Sequence, residues 1–173
     1  MTENTAGNAS VLATLFAHNA WANQKLLDFC EKLSDAQLST NAVGGFGTIH
    51  ETLIHILRAE QGYVERTNGR LPAQPLVRGQ ALQFDQLRDV ARWASDELLQ
   101  LALATRSDTL VKESDDKSAI EYPLASLLMQ SLTHSTEHRT QIAAIITQLG
   151  MEPPDMSGWM YMEEHKELRE WDL

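Results

Sequence analysis

The chain has a single cysteine, Cys30, in 173 residues. No intrachain disulfide can form, so packing must hold the fold together. Cys30 follows Phe29 in an apolar helical stripe, which reads as a small buried hydrophobe rather than a reactive thiol. Basic residues are also scarce: 14 Lys and Arg stand against 24 Asp and Glu, a formal net charge of −10. A surface of that sign repels phosphate backbones, which argues against nucleic-acid binding. Long hydrophobic runs are absent, so no membrane span is expected. The opening Met1-Thr2-Glu3-Asn4-Thr5 has no basic residue ahead of an apolar stretch. It does not read as a signal peptide, and with so little cysteine a cytoplasmic location is expected. Internal repeats and low-complexity segments are missing too.

What is present is helical periodicity. Val11 to Leu33 reads as one long helix with Val11, Leu15, Ala22, Leu26, Phe29 and Leu33 as its stripe. A polar connection from Ser34-Asp35 ends in Gly44-Gly45-Phe46-Gly47. Thr48-Ile49-His50-Glu51 then has the form of a capping box and starts a second helix, running to about Arg66. Asn68-Gly69-Arg70-Leu71-Pro72 breaks it, and Pro75 and Gly79 keep the next segment irregular. A third helix covers about Phe84 to Leu103, with Phe84, Leu87, Ala91, Ala94, Leu98 and Leu101 in alternating steps of three and four. Thr109-Leu110-Val111 and Ala119-Ile120-Glu121-Tyr122 flank a charged turn and suggest a short hairpin. Pro123 suits the start of a fourth helix ending at Leu149-Gly150, with Pro153-Pro154 preventing its resumption. The tail holding Trp159, Tyr161 and Trp171 suggests one short helix covering the surface. The expectation is an all-α chain forming one domain over residues 1–173: a four-helix bundle with a long connection between helices two and three, about Arg66 to Gln83, and a short C-terminal helix.

The fourth helix carries the most informative stretch, Thr133-His134-Ser135-Thr136-Glu137-His138-Arg139-Thr140-Gln141. Residues four apart on a helix lie about 5–6 Å apart at Cβ and point the same way. Two imidazoles so placed can reach one divalent ion at about 2.0–2.1 Å. On a helical wheel His134 and His138 share an arc with Leu124, Leu127, Ser131, Gln141, Ile142, Ile145 and Leu149, in the middle of the apolar stripe. Buried imidazoles need partners for both ring nitrogens, and a metal supplies one for each ring. The competing reading is a pair of core histidines bonded to neighbouring helices. Ser131, one turn earlier, would leave room for a ligand, and Gln141 could hydrogen-bond one. Arg139 lies off the arc and is expected to pack or pair with an acid.

A third ligand would come from the second helix. His50 and His55 flank its main arc of Ile49, Thr52, Leu53, Ile56, Tyr63 and Val64 on opposite sides, so periodicity alone does not choose between them. His55 lies deeper and is preferred. His18 reads as a core-edge residue and His165 as solvated. Two catalytic patterns fail: Ser135 stands where a zincin needs Glu, and Glu60 has no repeated Glu-x-x-His partner for a di-iron site. Three histidines would leave one coordination position open, the hallmark of a catalytic rather than a structural metal.

Three stretches together resemble the DinB/YfiT-like family of metal-binding four-helix proteins: Phe16-Ala17-His18-Asn19-Ala20-Trp21-Ala22-Asn23, Thr48 through Leu57, and His134-Ser135-Thr136-Glu137-His138-Arg139-Thr140-Gln141. The resemblance covers nearly the whole chain. It implies a ligand triad of His55, His134 and His138, one zinc or nickel ion (Zn2+ or Ni2+), and a homodimer. For some members of the wider superfamily it implies transfer or isomerisation with low-molecular-weight thiols. Thr140 departs from the family's common Gly, which would alter how closely a helix approaches. Glu137 departs from its common His, which changes the charge beside the site. The expected function is a metal-dependent enzyme, a thiol S-transferase or a hydrolase acting on a small molecule. The alternative is a non-enzymatic metal-binding stress-response or assembly protein. Trp21 and Ile54, outside the core arcs, suggest the dimer contact, unless the C-terminal tail covers them.

Overall fold

The computed structural model describes residues 5–81, 83–114 and 116–168, with side chains from Val11 onward except at those breaks. Four long helices account for most of the chain: α1 (Thr5–Cys30), α3 (Ile49–Asn68), α4 (Phe84–Ala104) and α5 (Leu124–Gln148). Short helices α2 (Asp35–Leu38) and α6 (Gly158–Glu164) and an antiparallel hairpin of β1 (Leu110–Ser114) and β2 (Ala119–Pro123) complete it. The fold is mostly helical, as expected, and the hairpin lies where the sequence suggested, with Val111 opposite Tyr122. Among the described residues no helix is long and apolar enough to cross a membrane. Helix α2 was not anticipated. Ser34 starts it with a capping box to Gln37, four residues too short to show a period.

Local chemistry sets the ends of the helix that matters most for the site. Thr48 accepts from the Glu51 backbone N–H while the Glu51 carboxylate accepts from Thr48, so the expected capping box is formed at the start of α3. Gly69 ends α3 with φ +71°, a left-handed conformation open to glycine without a Cβ clash. The following connection docks back onto α3. Gln61 accepts from the Leu76 backbone N–H at 2.8 Å and donates to the Leu76 carbonyl at 3.5 Å, and the Leu76 side chain enters the core.

The long helices pack on one another, α1 and α3 each against α4 and α5, around two apolar clusters. One holds Leu26, Leu27, Cys30, Ile49, Leu53, Leu57, Leu87, Ile142 and Ile146. The other holds Phe16, Tyr63, Val64, Leu98, Leu124, Leu127 and Leu128. Between them along three helices lie buried polar residues: Asn19 and Asn23 of α1, Glu60 of α3, and Ser131, Ser135 and Arg139 of α5. Glu60 is fully buried. Its Oε1 accepts from Asn19 Nδ2 at 2.8 Å, Asn23 Nδ2 at 2.9 Å and Ser135 Oγ at 2.7 Å. Arg139 Nη1 donates to the Oδ1 atoms of the same two asparagines, at 2.7 Å each, and Nη2 to Thr136 at 3.0 Å. Burial pulls the Arg139 pKa down, and attraction to Glu60 offsets part of this. Each asparagine therefore bridges an acid and a cation, donating to one and accepting from the other.

This layer corrects two expectations. On α1 the stripe was drawn through Val11 and Leu15, but these are exposed and Phe16 is buried. The core face follows Phe16, Asn19, Ala22, Asn23 and Leu26, so a stripe defined by apolar residues alone is rotated away from it. On α5, Ser131, Ser135 and Arg139 occupy the buried centre, which puts His134 and His138 on its edge rather than in its middle.

The residues that suggested a dimer contact are covered within the chain. Trp21 packs edge-on against Tyr161, 5.4 Å between ring centroids, and its Nε1 donates to Glu164 at 2.8 Å. Lys25 pairs with the same carboxylate. Ile54 is buried. Helix α6 thus covers part of α1, as expected of the tail. Trp171 lies outside the described residues.

Removing one member of a buried charge network leaves the others unpaired, at a cost on the order of 3–5 kcal/mol. Glu60→Ala is therefore expected to lower unfolding free energy in urea by about that much. Asp89→Ala, which breaks an exposed pair with Arg92, should cost about 0–1 kcal/mol. Equal losses from the two substitutions would show that the buried layer carries no special weight.

Candidate metal centre

Helices α3 and α5 lie against each other and bring His55, His134 and His138 together. Each ring offers one ligand nitrogen, and those atoms lie within 4.8 Å of one another. The ring centroids are 4.8 Å apart for His55–His134, 4.6 Å for His55–His138 and 4.5 Å for His134–His138. Nε2 of His55 and Nε2 of His134 are 3.0 Å apart, close enough for both to reach one ion at about 2.0–2.1 Å. The three histidines that the resemblance implies lie together in the fold. His50 is not among them. His18 contacts the Met156 carbonyl at 3.0 Å, and His165, exposed as expected, stacks on Tyr161 with centroids 4.0 Å apart.

The surroundings of His55 and His134 favour neutral rings. Burial, then repulsion from His134, His138 and Arg58, depresses the His55 pKa to about 4. The His134 pKa is lowered chiefly by burial and then by His138, with Glu137 opposing. Glu137 thus acts on the site through its charge, from an exposed position. Neutral imidazoles are the form a metal requires. Without a metal, the short His55–His134 contact must be met by one ring donating to the other. A divalent ion would accept a lone pair from each, so the donor set fits such an ion.

Gln141 sets the third ring. Its Oε1 lies 2.9 Å from His138 Nδ1 and also accepts from the Phe46 backbone N–H at 3.2 Å. An amide oxygen can only accept, so His138 carries its proton on Nδ1 and leaves the Nε2 lone pair free. Phe46 then stacks on His55, centroids 3.8 Å and planes 16° apart, and meets His138 edge-on at 5.4 Å. The Gly44–Gly47 loop therefore forms one wall of the site. Sequence reasoning singled out Gln141 as a hydrogen-bonding residue on the histidine arc but gave Phe46 no role, because a glycine-rich loop has no period to read.

Two cavities open beside His55. One, of about 550 Å³, is lined by His55, Arg58, Gly62, Tyr63, Tyr122 and His134 among others. The second, of about 730 Å³, includes Phe46, His50, Glu51, His55, Arg58 and Arg78 in its lining. Ser131, expected to leave room for a ligand, is instead fully buried away from both cavities with its hydroxyl unpartnered. Tyr122 donates to Glu113, which also pairs with Arg66 at 3.3 Å, so the hairpin is held against α3 at the cavity's edge. Burial and that carboxylate raise the Tyr122 pKa to about 12. Thr140 is exposed, and its hydroxyl donates to the Thr136 carbonyl at 2.9 Å. Its expected effect on helix approach therefore has no basis in the packing.

The depressed pKa of His55 links protonation to stability. The unfolded chain takes up this proton near pH 6.5, but the folded one resists it until about pH 4. Between these values the unfolded state binds more protons, so acidification favours it. The metal-free protein should therefore lose urea stability as pH falls from 6.5 towards 4, beyond the loss shown by His55→Gln. Parallel pH profiles for the two proteins would show that His55 is not the linked group.

Protein DinB of Bacillus subtilis (strain 168) is 22% identical over 159 residues, which cover 86% of this chain and 92% of that protein. The DinB family matches residues 1–172. The match spans the helix carrying Asn19 and Asn23, the helix carrying His55 and the helix carrying His134, His138 and Arg139. The chain is a member of the DinB family.

Proposed function

We propose that His55, His134 and His138 hold one divalent metal ion, Zn2+ or Ni2+, and that the protein is a metal-dependent enzyme of the thiol S-transferase type acting on a small molecule. The observation that carries this reading is the convergence of three imidazoles, with no carboxylate in the cluster among the described residues, beside cavities of about 550 and 730 Å³. A purely structural site is normally closed by a fourth protein ligand. Here cavity space stands next to the ligands instead, which weighs against the alternative of a non-enzymatic metal-binding stress or assembly protein. Imidazole suits both zinc and nickel, so the donor set leaves both ions in the proposal.

The ion would act as a Lewis acid, lowering the pKa of a water or thiol that reaches its open position. The chain's own residues prepare that position. Gln141 fixes the His138 tautomer, and Phe46 covers one face of His55. His55 and His134 stay neutral at pH 7 because burial disfavours their cations. A homodimer, the assembly implied by the resemblance, is part of the proposal. Light scattering at micromolar concentration tests it, and a monomer would remove it.

Elemental analysis of the purified protein tests the centre. His55→Ala, His134→Ala and His138→Ala should each lose most of the bound metal, while His165→Ala should keep it. Retention by His55→Ala together with loss by His50→Ala would overturn the ligand assignment. Gln141→Leu removes the acceptor that orients His138. It should weaken metal affinity by about 10–100-fold, measured by competition with a chromophoric chelator. An unchanged affinity would exclude Gln141 from tuning the site.

A further inference from the structure

The chain carries an excess of negative charge, and six of its eight described arginines are matched by acids or by the buried amides. Arg66, Arg70, Arg88, Arg92 and Arg106 each form an ion pair with a carboxylate. Arg139 is held by Asn19 and Asn23. Arg58 and Arg78 have no ion pair and no side-chain hydrogen bond among the described residues, and both are exposed. These two, from different elements, line one cavity together with His55 and Phe46. Arg58 follows His55 by three positions on α3, so it lies on the same side of the helix, and it lines the other cavity as well. Its charge is felt at the His55 ring. The acid of that cavity, Glu51, is engaged by Thr48, whose N–H and hydroxyl both donate to Glu51 Oε2 at 2.9 and 3.0 Å. The unpartnered, buried His50 Nε2 belongs to the same cavity's lining residue.

A protein with net charge −10 repels small anions over most of its surface. Two uncommitted guanidinium groups beside the histidine cluster reverse that locally. A guanidinium presents a planar fork of donors that matches a carboxylate, and such charge-assisted bonds are the stronger kind. We propose that the cavity between Phe46, Arg58 and Arg78 takes an anionic small molecule, with its carboxylate on the two arginines and its reacting end towards the three histidines at His55, the one of them that lines this cavity. This rests on the reading of those histidines as a metal centre and names the substrate class for it.

The test uses the full chain loaded with cobalt and titrated with two thiols of equal length, 3-mercaptopropionate and 3-mercaptopropionamide, followed by the visible spectrum. The acid should bind about ten-fold tighter than the neutral amide, the gain of one charge-assisted contact. Arg58→Gln and Arg78→Gln should each erode that preference and the double variant abolish it, while amide affinity and cobalt content stay unchanged. Arg58→Lys should retain part of the preference. Equal binding of acid and amide by the wild type, or a preference that survives the double variant, overturns the anion site and leaves the metal centre standing. If the protein takes up no cobalt, the metal-centre reading fails instead, and if cobalt is bound but neither thiol changes its spectrum, the thiol-transferase reading fails. The anion site is then decided on the metal-free protein by the Nε–Hε resonances of its arginines. Shifts with the acid and not with the amide, lost in the double variant, support it, and no shift overturns it.

Discussion

The association of Glu60 with Arg139 through two asparagines is the constraint on which the helix arrangement depends. A buried carboxyl group and a buried guanidinium are each costly to take out of water. Here they do not touch. Asn19 and Asn23 stand between them with their amides turned, nitrogen to the acid and oxygen to the cation. The arrangement works only if α1, α3 and α5 are in one rotational and axial register. Apolar packing tolerates a shift by part of a turn far better than this layer does, because a shifted amide would leave a buried donor or acceptor unmet. The two apolar clusters supply the cohesion, and the polar layer between them selects the register.

That register also builds the site. On α5, Ser135 and Arg139 belong to the layer, and each immediately follows a site histidine in sequence. Successive helical residues lie about 100° apart around the axis. Anchoring Ser135 and Arg139 inward therefore turns His134 and His138 towards α3 and its cavities. On α3, Glu60 fixes the helix one turn and a half beyond His55. The histidines thus depend for their orientation on residues that take no part in holding an ion.

How much of this was legible depends on what kind of signal each residue carries. The i, i+4 histidines announce themselves by spacing. On the second helix periodicity left His50 and His55 both flanking the apolar arc, depth along the helix favoured His55, and the resemblance pointed the same way. Helix ends were legible wherever capping is local, as at Thr48 and Gly69. The polar layer was not. Asparagine, glutamate and arginine at helical positions look like surface residues one at a time, and only the pairing across three helices makes them core. That is why the α1 stripe was misplaced towards Val11 and Leu15. Phe46, in a loop without periodicity, gave no sign of its contact with His55. Arg58 and Arg78 could not be distinguished from the other arginines, since lacking a partner is a property of the folded state.

Cys30 lies in the larger apolar cluster with no exposed surface, and burial raises its thiol pKa to about 12. Alkylation and disulfide exchange require the thiolate and access to it, and the native state withholds both. The chain's one thiol is therefore silent towards any small thiol in solution and reacts only during openings that expose the core. Its labelling rate is a built-in clock for such openings, and with a fast reagent it would report the frequency of core exposure under native conditions.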